Sequence, residues 1–106
     1  MKKSNSVRKR AGGPGPKPVR VEFNDPRVET VAIAGDFNDW RPEAAPMIHL
    51  GGGHWVKDLV LPAGVYEYRL VVDGEWMPDP QAADRRPNPF GGANSILTVM
   101  GNHRPE

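Results

Sequence analysis

Residues 66–76 read Tyr-Glu-Tyr-Arg-Leu-Val-Val-Asp-Gly-Glu-Trp, a strand that runs into a tight turn. Apolar residues stand at every second position from 66 to 72, which is the period of a strand with one buried face. Asp73-Gly74 supplies the positive φ angles that a two-residue type I′ hairpin needs. The pattern therefore predicts a β-hairpin that places Trp76 on the next strand, near the outward-facing Arg69.

Further strands are predicted on both sides of this hairpin, at residues 19–23, 30–34, 46–50, 54–61 and 95–100. Turn-forming Gly, Pro, Asn and Asp residues separate these segments at intervals of about 8–12 residues, and no segment has a helical period. Residues 78–92 are interpreted as irregular because they are rich in Pro and Gly. The sequence therefore predicts an all-β protein, an immunoglobulin-like β-sandwich of about seven strands.

The N-terminal segment differs from the rest in charge and composition. Residues 1–18 hold six basic side chains, no acidic ones and the run Ala-Gly-Gly-Pro-Gly-Pro-Lys-Pro. Such a segment buries too little apolar area to offset the entropy of ordering it, so we predict a disordered basic tail. From residue 19 onward, eight basic residues against thirteen acidic ones give a net charge of −5. The predicted organisation is a tail at 1–18, a domain at 19–101 and a short C-terminal tail at 102–106.

The composition argues against several classes of site. The chain has no cysteine, and His49, His54 and His103 show no ligand-like spacing, so we predict no metal site and no cofactor. No apolar run is long enough for a signal peptide or a membrane helix, so we expect a cytoplasmic protein without a membrane partner. Most acidic residues stand in turn contexts, and a domain of this size offers no deep cleft. We therefore predict that the protein is not an enzyme.

Four motifs follow one another along the predicted domain. They are Ala-Gly-Asp-Phe-Asn-Asp-Trp at 34–40, the stretch at 61–76, Asp79-Pro80, and Asn-Pro-Phe-Gly-Gly-Ala-Asn-Ser at 88–95. This series resembles carbohydrate-binding module family 48, which includes the glycogen-binding domain of the AMP-activated protein kinase beta subunit and the N-terminal modules of isoamylases and glycogen branching enzymes. The resemblance covers about residues 19–100. It implies an early-set, immunoglobulin-like sandwich that binds α-glucans such as glycogen, maltodextrin or cyclodextrin.

The resemblance also implies which residues contact the sugar. In the kinase-type members, two tryptophans grip the helical face of an α-1,4-glucan, and the matching positions here are Trp40 and Trp76. A lysine in the strand before the turn contacts sugar hydroxyls, and Arg69 stands there. An asparagine before the last strand matches Asn94, and an apolar residue that pushes into the glucan ring matches Phe90.

These residue types suit a glucan on chemical grounds. A flat indole complements the apolar C–H face of a pyranose ring, and two indoles at an angle fit a curved chain better than a flat one. The Arg69 guanidinium offers a fork of donors, and the Asn94 amide offers both a donor and an acceptor for hydroxyl groups. Gly92 stands where the kinase-type members have a threonine, so one hydroxyl donor is lost.

Structural roles remain as alternatives for the same residues. Trp40 could close one end of the sandwich, Arg69 could pair with a neighbouring glutamate, and Asn94 could stabilise its loop. Trp55 is predicted to lie in the core, because it shares the alternation of Leu59 and Leu61.

Two functions from different classes follow from these observations. The first is a free-standing, non-catalytic α-glucan-binding module, because the sequence ends just past its last predicted strand. The alternative is an early-set protein-interaction domain that serves as an adaptor or regulatory subunit and binds no sugar. The basic tail could recruit a protein partner in either case. It has no aromatic residue for base stacking, so we expect no specific nucleic-acid recognition.

Overall fold

A computed structural model of the protein describes residues 15–89 and 91–101. In these residues the chain forms two antiparallel sheets, which confirms the predicted all-β sandwich. The eight strands are β1 (Lys17–Asn24), β2 (Val31–Gly35), β3 (Ile48–His49), β4 (His54–Leu61), β5 (Gly64–Val72), β6 (Glu75–Met77), β7 (Asp84–Pro87) and β8 (Ala93–Val99). One sheet has the order β1-β4-β3, and the other has the order β2-β5-β8-β7 with β6 also paired to β5.

The helical pieces in this part of the chain are two single 3-10 turns, Asp36–Asn38 and Pro42–Ala44. Neither approaches the length or the apolar character of a membrane-crossing helix. Both turns lie between β2 and β3, where the chain passes from one sheet to the other. Ala32 and Pro46 form an isolated β-bridge at this passage, so main-chain hydrogen bonds join β2 to the segment just before β3.

β5 is the strand that most of the second sheet depends on. Its C-terminal half pairs with β2 on one edge and with β6 on the other, so that Ala34 and Trp76 flank it. Its N-terminal half pairs with β8. Asp73 and Gly74 have φ angles of 49° and 83°, as a type I′ turn requires, which confirms the predicted hairpin.

The core lies between the two sheets and takes the inward side chains of both. Tyr68, Leu70 and Val72 are buried, as the alternation along β5 predicts. Trp55 is also buried, which confirms its predicted core role, and its ring stacks on that of His49 with centroids 4.5 Å apart. The full set of clustered buried residues is Val21, Phe23, Val31, Ile33, Ala45, Met47, Trp55, Leu59, Leu61, Tyr68, Leu70, Val72 and Val99.

A buried polar group fastens the segment after β6 to this core. The Tyr68 hydroxyl donates to Asp79 Oδ2 at 2.6 Å, and the main-chain N–H of Asp79 donates to Ser95 Oγ at 2.8 Å. Asp79 and Ser95 are both buried, so each needs these partners to offset its loss of water. Burial, together with the bond to the Asp79 carboxylate, raises the pKa of the Tyr68 hydroxyl.

Several strand assignments differ from the sequence-based ones, since β3 covers only two of the residues predicted at 46–50 and β8 begins two residues before its predicted start. β7 falls inside the segment predicted to be irregular. Nothing in the sequence indicated a strand there, because the four side chains are exposed and mostly charged and show no apolar alternation. It pairs along β8, so its position depends on a partner strand and not on its own sequence. β1 begins at Lys17, two residues before the predicted start, where its main chain pairs with β4. The rest of the predicted basic tail, residues 1–14, and residues 102–106 lie outside the described residues.

Replacement of Trp55 by alanine tests the core assignment. Removal of a buried indole loses apolar contacts and leaves a cavity, so Trp55→Ala should lower the free energy of unfolding by about 3–5 kcal/mol. Urea unfolding followed by circular dichroism measures this change. Val60 lies on the same strand but is 66% exposed, and Val60→Ala should change the value by less than about 0.5 kcal/mol. Equal effects of the two substitutions would contradict the core role.

The Tyr68 hydroxyl should make the free energy of unfolding fall as the pH rises through the alkaline range. Its folded-state pKa lies above the ordinary value of 10.0, so the stabilisation is complete below pH 10 and is lost as the pH rises further, because the unfolded chain ionises first. Tyr68→Phe should make the decline of unfolding free energy above pH 10 shallower. At neutral pH it should cost about 1–3 kcal/mol, because Asp79 loses a partner. Tyr66→Phe is the matched control, and the same alkaline slope in both variants would refute this role.

Candidate functional site

A cleft of about 240 Å³ lies on the outer face of the second sheet. Its lining residues come from five separate segments and are Trp40, Arg69, Trp76, Asn88, Pro89 and Asn94. Four of the five residues predicted for the site therefore lie around one cleft. The fifth, Phe90, is outside the described residues, so its role stays a prediction.

Trp40 is held by a loop with an unusual backbone. Asp39 and Trp40 have φ angles of 56° and 59°, a left-handed conformation that costs about 1–2 kcal/mol per residue for side chains other than glycine. Asn38 offsets this cost, since its Oδ1 accepts from the Gly35 N–H and its Nδ2 donates to the Ile33 carbonyl, both at 3.0 Å. The Trp40 N–H donates to the Gly35 carbonyl at 2.9 Å. The loop thus fixes the indole at the edge of the sheet.

The indole of Trp40 is also tied to β5 through a carboxylate. Its Nε1–H donates to Asp36 Oδ1 at 3.2 Å, and Asp36 Oδ2 accepts from the Glu67 main-chain N–H at 2.8 Å. No role in the site was predicted for Asp36. Its position after the strand gave no local signal of this bond, because the partner stands 31 residues later in the sequence.

Arg69 and Trp76 form the middle of the cleft. Trp76 is 44% exposed on β6, and the Arg69 Nη2 donates to its main-chain carbonyl at 3.4 Å. Arg69 Nε is buried and has no hydrogen-bond partner among the described residues. The alternative pairing of Arg69 with Glu67 is not observed, since the Glu67 carboxylate accepts from Arg86 at 2.7 Å instead. In the described part of the chain, only one N–H of the two Nη groups is used, by the Trp76 carbonyl, so the end of the guanidinium keeps donors for another partner.

Asn94 both stabilises its loop and faces the cleft. Its Nδ2 donates to Glu67 Oε1 at 3.0 Å, and its Oδ1 accepts from Asn88 Nδ2 at 3.2 Å. Asn88 Oδ1 in turn accepts from the Gly92 N–H at 3.1 Å. Asn88 and Pro89 belong to a motif used for the resemblance, but no binding role was predicted for them. An Asn-Pro pair shortly before two glycines is a turn signal, and it could have drawn attention to this wall of the cleft.

Gly92 matters to the cleft because it lacks a side chain. A Cβ at this position would lie 3.4 Å from Asn88 Nδ2 and 3.5 Å from Arg69 Nη2. Those are ordinary contact distances, so Gly92 leaves open the space beside the Arg69 guanidinium that a Cβ would fill.

Three acidic residues near the cleft, Asp36, Glu67 and Asp73, make structural hydrogen bonds. Asp73 Oδ1 accepts from the main-chain N–H groups of Glu29 and Thr30 at 2.8 and 2.9 Å, which ties the hairpin to the loop before β2. No group of three or more metal-ligating side chains occurs in residues 15–89 and 91–101. The cleft thus presents aromatic faces, a guanidinium and amides, which offer apolar contact area and hydrogen-bonding groups to a ligand.

Residues 17–104 match the family model described as the glycogen recognition site of AMP-activated protein kinase. This chain belongs to that family. The match contains every residue that lines the cleft. It agrees with the family resemblance inferred from the motifs and with the early-set sandwich that the resemblance implies.

Proteins similar to this member of the glycogen-recognition family include enzymes and kinase subunits. The 1,4-alpha-glucan branching enzyme GlgB of Salinibacter ruber is 34% identical over 85 residues, which are 74% of this chain and 14% of that protein. The 5'-AMP-activated protein kinase subunit beta-1 of Sus scrofa is 32% identical over 69 residues, 65% of this chain and 53% of that protein. The SNF1-related protein kinase regulatory subunit beta-2 of Arabidopsis thaliana is 35% identical over 51 residues, which are 48% of this chain and 17% of that protein. The chain thus spans about half the length of the Sus scrofa subunit and less than a fifth of the length of the other two relatives.

The tie between Trp40 and β5 is testable without any ligand. In Asp36→Asn, the amide can accept from the indole or from the Glu67 N–H but not from both, so the free energy of unfolding should fall by about 1 kcal/mol. The indole N–H of Trp40 should exchange faster with solvent in the NMR spectrum. Asp39→Asn is the matched control, because asparagine also tolerates a positive φ. If the two variants behave alike, the tie does not hold Trp40.

Proposed function

We propose that this chain is a non-catalytic α-1,4-glucan-binding module in which Trp40 and Trp76 stack on sugar rings. The observation that carries the proposal is that the two tryptophans, from a loop and from a hairpin, line the same outward cleft as Arg69 and Asn94. Sugar rings offer apolar C–H faces to such indoles and hydroxyl rims to such polar groups. Membership of a glycogen-recognition family supports the same ligand class.

The placement of the two indoles favours a curved glucan over a flat one. Trp40 belongs to a loop beyond β2, and Trp76 belongs to β6, so they reach the cleft from opposite edges of β5. A helical α-1,4-glucan presents successive rings at an angle to one another, and separate aromatic walls match that curvature. Glycogen, maltodextrins and cyclodextrins share this curvature, whereas cellulose is extended.

Polar contacts would add specificity and a modest part of the affinity. Arg69 would donate to ring hydroxyls, and Asn94 would offer one donor and one acceptor. Each such bond replaces a bond to water, so its net contribution is about 1 kcal/mol. We therefore expect weak-to-moderate affinity for short oligosaccharides, increased by avidity on a polymer.

The tryptophan substitutions test the stacking. Trp40→Ala and Trp76→Ala should each weaken maltoheptaose binding by about 1–3 kcal/mol, the scale of losses for aromatic stacking. Both variants should keep the wild-type circular dichroism, because the side chains lie on the outer face. Ile48→Ala is the control, since Ile48 is 58% exposed on the other sheet and should bind like wild type. Unchanged affinity in a folded tryptophan variant would refute stacking by that residue.

The ligand class is tested by titrating the protein with β-cyclodextrin or maltoheptaose, with cellohexaose as the control. Heat or tryptophan fluorescence follows the binding. Saturable binding of the α-linked sugars alone is the expected result. If no sugar binds up to millimolar concentration, the glucan-binding proposal fails, and the protein-binding adaptor becomes the hypothesis to pursue.

A further inference from the structure

We propose that Glu67 is a positioning residue of the cleft, whose carboxylate fixes the orientation in which the Asn94 amide faces a ligand. This inference rests on the proposed glucan-binding function. Glu67 is on the outward side of β5 but does not line the cleft, so it would act through Asn94 and not by contact with sugar.

A directional series of hydrogen bonds leads to Glu67 from the loop before β8. It begins at the Gly92 main-chain N–H, which can only donate, and passes to Asn88 Oδ1. Asn88 Nδ2 then donates to Asn94 Oδ1, and Asn94 Nδ2 donates to Glu67 Oε1. Because the first group is a fixed donor, each amide along the series has one favoured orientation.

A second donor reaches Glu67 from β7. Arg86 Nη1 donates to Glu67 Oε2 at 2.7 Å, and a guanidinium has no acceptor. Two donors thus converge on one side chain, and a carboxylate provides an acceptor oxygen for each. Glutamine has the same shape but only one acceptor. The side chain of Glu67 is 25% exposed against 61% for that of Arg86, so water competes little for the carboxylate.

These hydrogen bonds determine which groups of the Asn94 amide remain available to a ligand. With one N–H bonded to Glu67 and one carbonyl lone pair bonded to Asn88, its amide keeps one donor and one acceptor in set directions. A flipped amide would place donor against donor on the Asn88 side and acceptor against acceptor on the Glu67 side. Pre-organised groups bind more tightly because less ordering remains to be done on binding.

The same residue also reaches the opposite wall of the cleft. The Glu67 main-chain N–H donates to Asp36, and Asp36 accepts from the Trp40 indole. Residue 67 therefore connects the aromatic wall to the amide wall, through its main chain on one side and its side chain on the other. This one position of β5 thus bonds to a group on each wall, next to Trp40 on one side and Asn94 on the other.

The experiment compares four folded variants with wild type for maltoheptaose affinity by calorimetry. In Glu67→Gln the single acceptor serves either Arg86 or Asn94, and affinity should fall about 3–10-fold, the worth of one mispositioned hydrogen bond. Arg86→Ala alone should change the affinity less than about two-fold, because Glu67 still accepts from Asn94. The double variant Glu67→Gln/Arg86→Ala should regain nearly wild-type affinity. Glu75→Gln, an exposed carboxylate on β6, is the matched control and should have no effect.

Side-chain amide spectra of the free proteins give a readout independent of sugar. The Asn94 NH₂ resonances should shift or double in Glu67→Gln and return in the double variant. If wild type binds maltoheptaose but Glu67→Gln binds equally well, or Arg86→Ala does not restore binding, the positioning role is overturned. If wild type binds no sugar, the proposed function fails instead, and the Asn94 resonances alone then decide whether Glu67 orients the amide.

Discussion

The alternation of side chains along β5 is the constraint on which both the core and the cleft depend. Tyr68, Leu70 and Val72 point into the sandwich, while Glu67 and Arg69 point outward to the cleft and its supporting bonds. A shift of one residue in register would move each set to the other face. The buried set therefore holds the polar set in place, because burial of Leu70 in the core determines where Arg69 emerges.

The neighbouring segments add their contributions by close approach to this strand. Gly35 lies where the chain leaves β2 toward the Trp40 loop, and a Cβ there would be 2.6 Å from the Glu67 carbonyl. Only glycine allows the backbone of β2 to lie so near β5 at that point. On the other edge, the tight turn at Asp73-Gly74 returns the chain at once and sets Trp76 opposite Val71. Sterics on one edge and turn chemistry on the other thus bring the two indoles to one face.

The sequence predicted those features that depend on local pattern. Turn chemistry and a two-residue period were enough for the β5–β6 hairpin and for the burial of Trp55, and the family resemblance placed Trp40 and Trp76 in one site. Asp36 and Glu67 were not predicted to support the cleft, since the Asp36 bond joins residues 31 positions apart and depends on strand register. β7 was missed for a related reason: a short, charged edge strand is defined by its partner and not by its own residues.

The left-handed backbone of Asp39 and Trp40 has a thermodynamic consequence. The loop reaches this conformation during folding, held by Asn38, so the entropy lost in ordering the indole belongs to the folding reaction and not to ligand binding. For the proposed glucan ligand, the backbone of this wall is already in its final conformation, so binding would not have to order it. On such a polymer, contacts of modest strength would give short residence times, and the module would exchange rapidly among neighbouring sites.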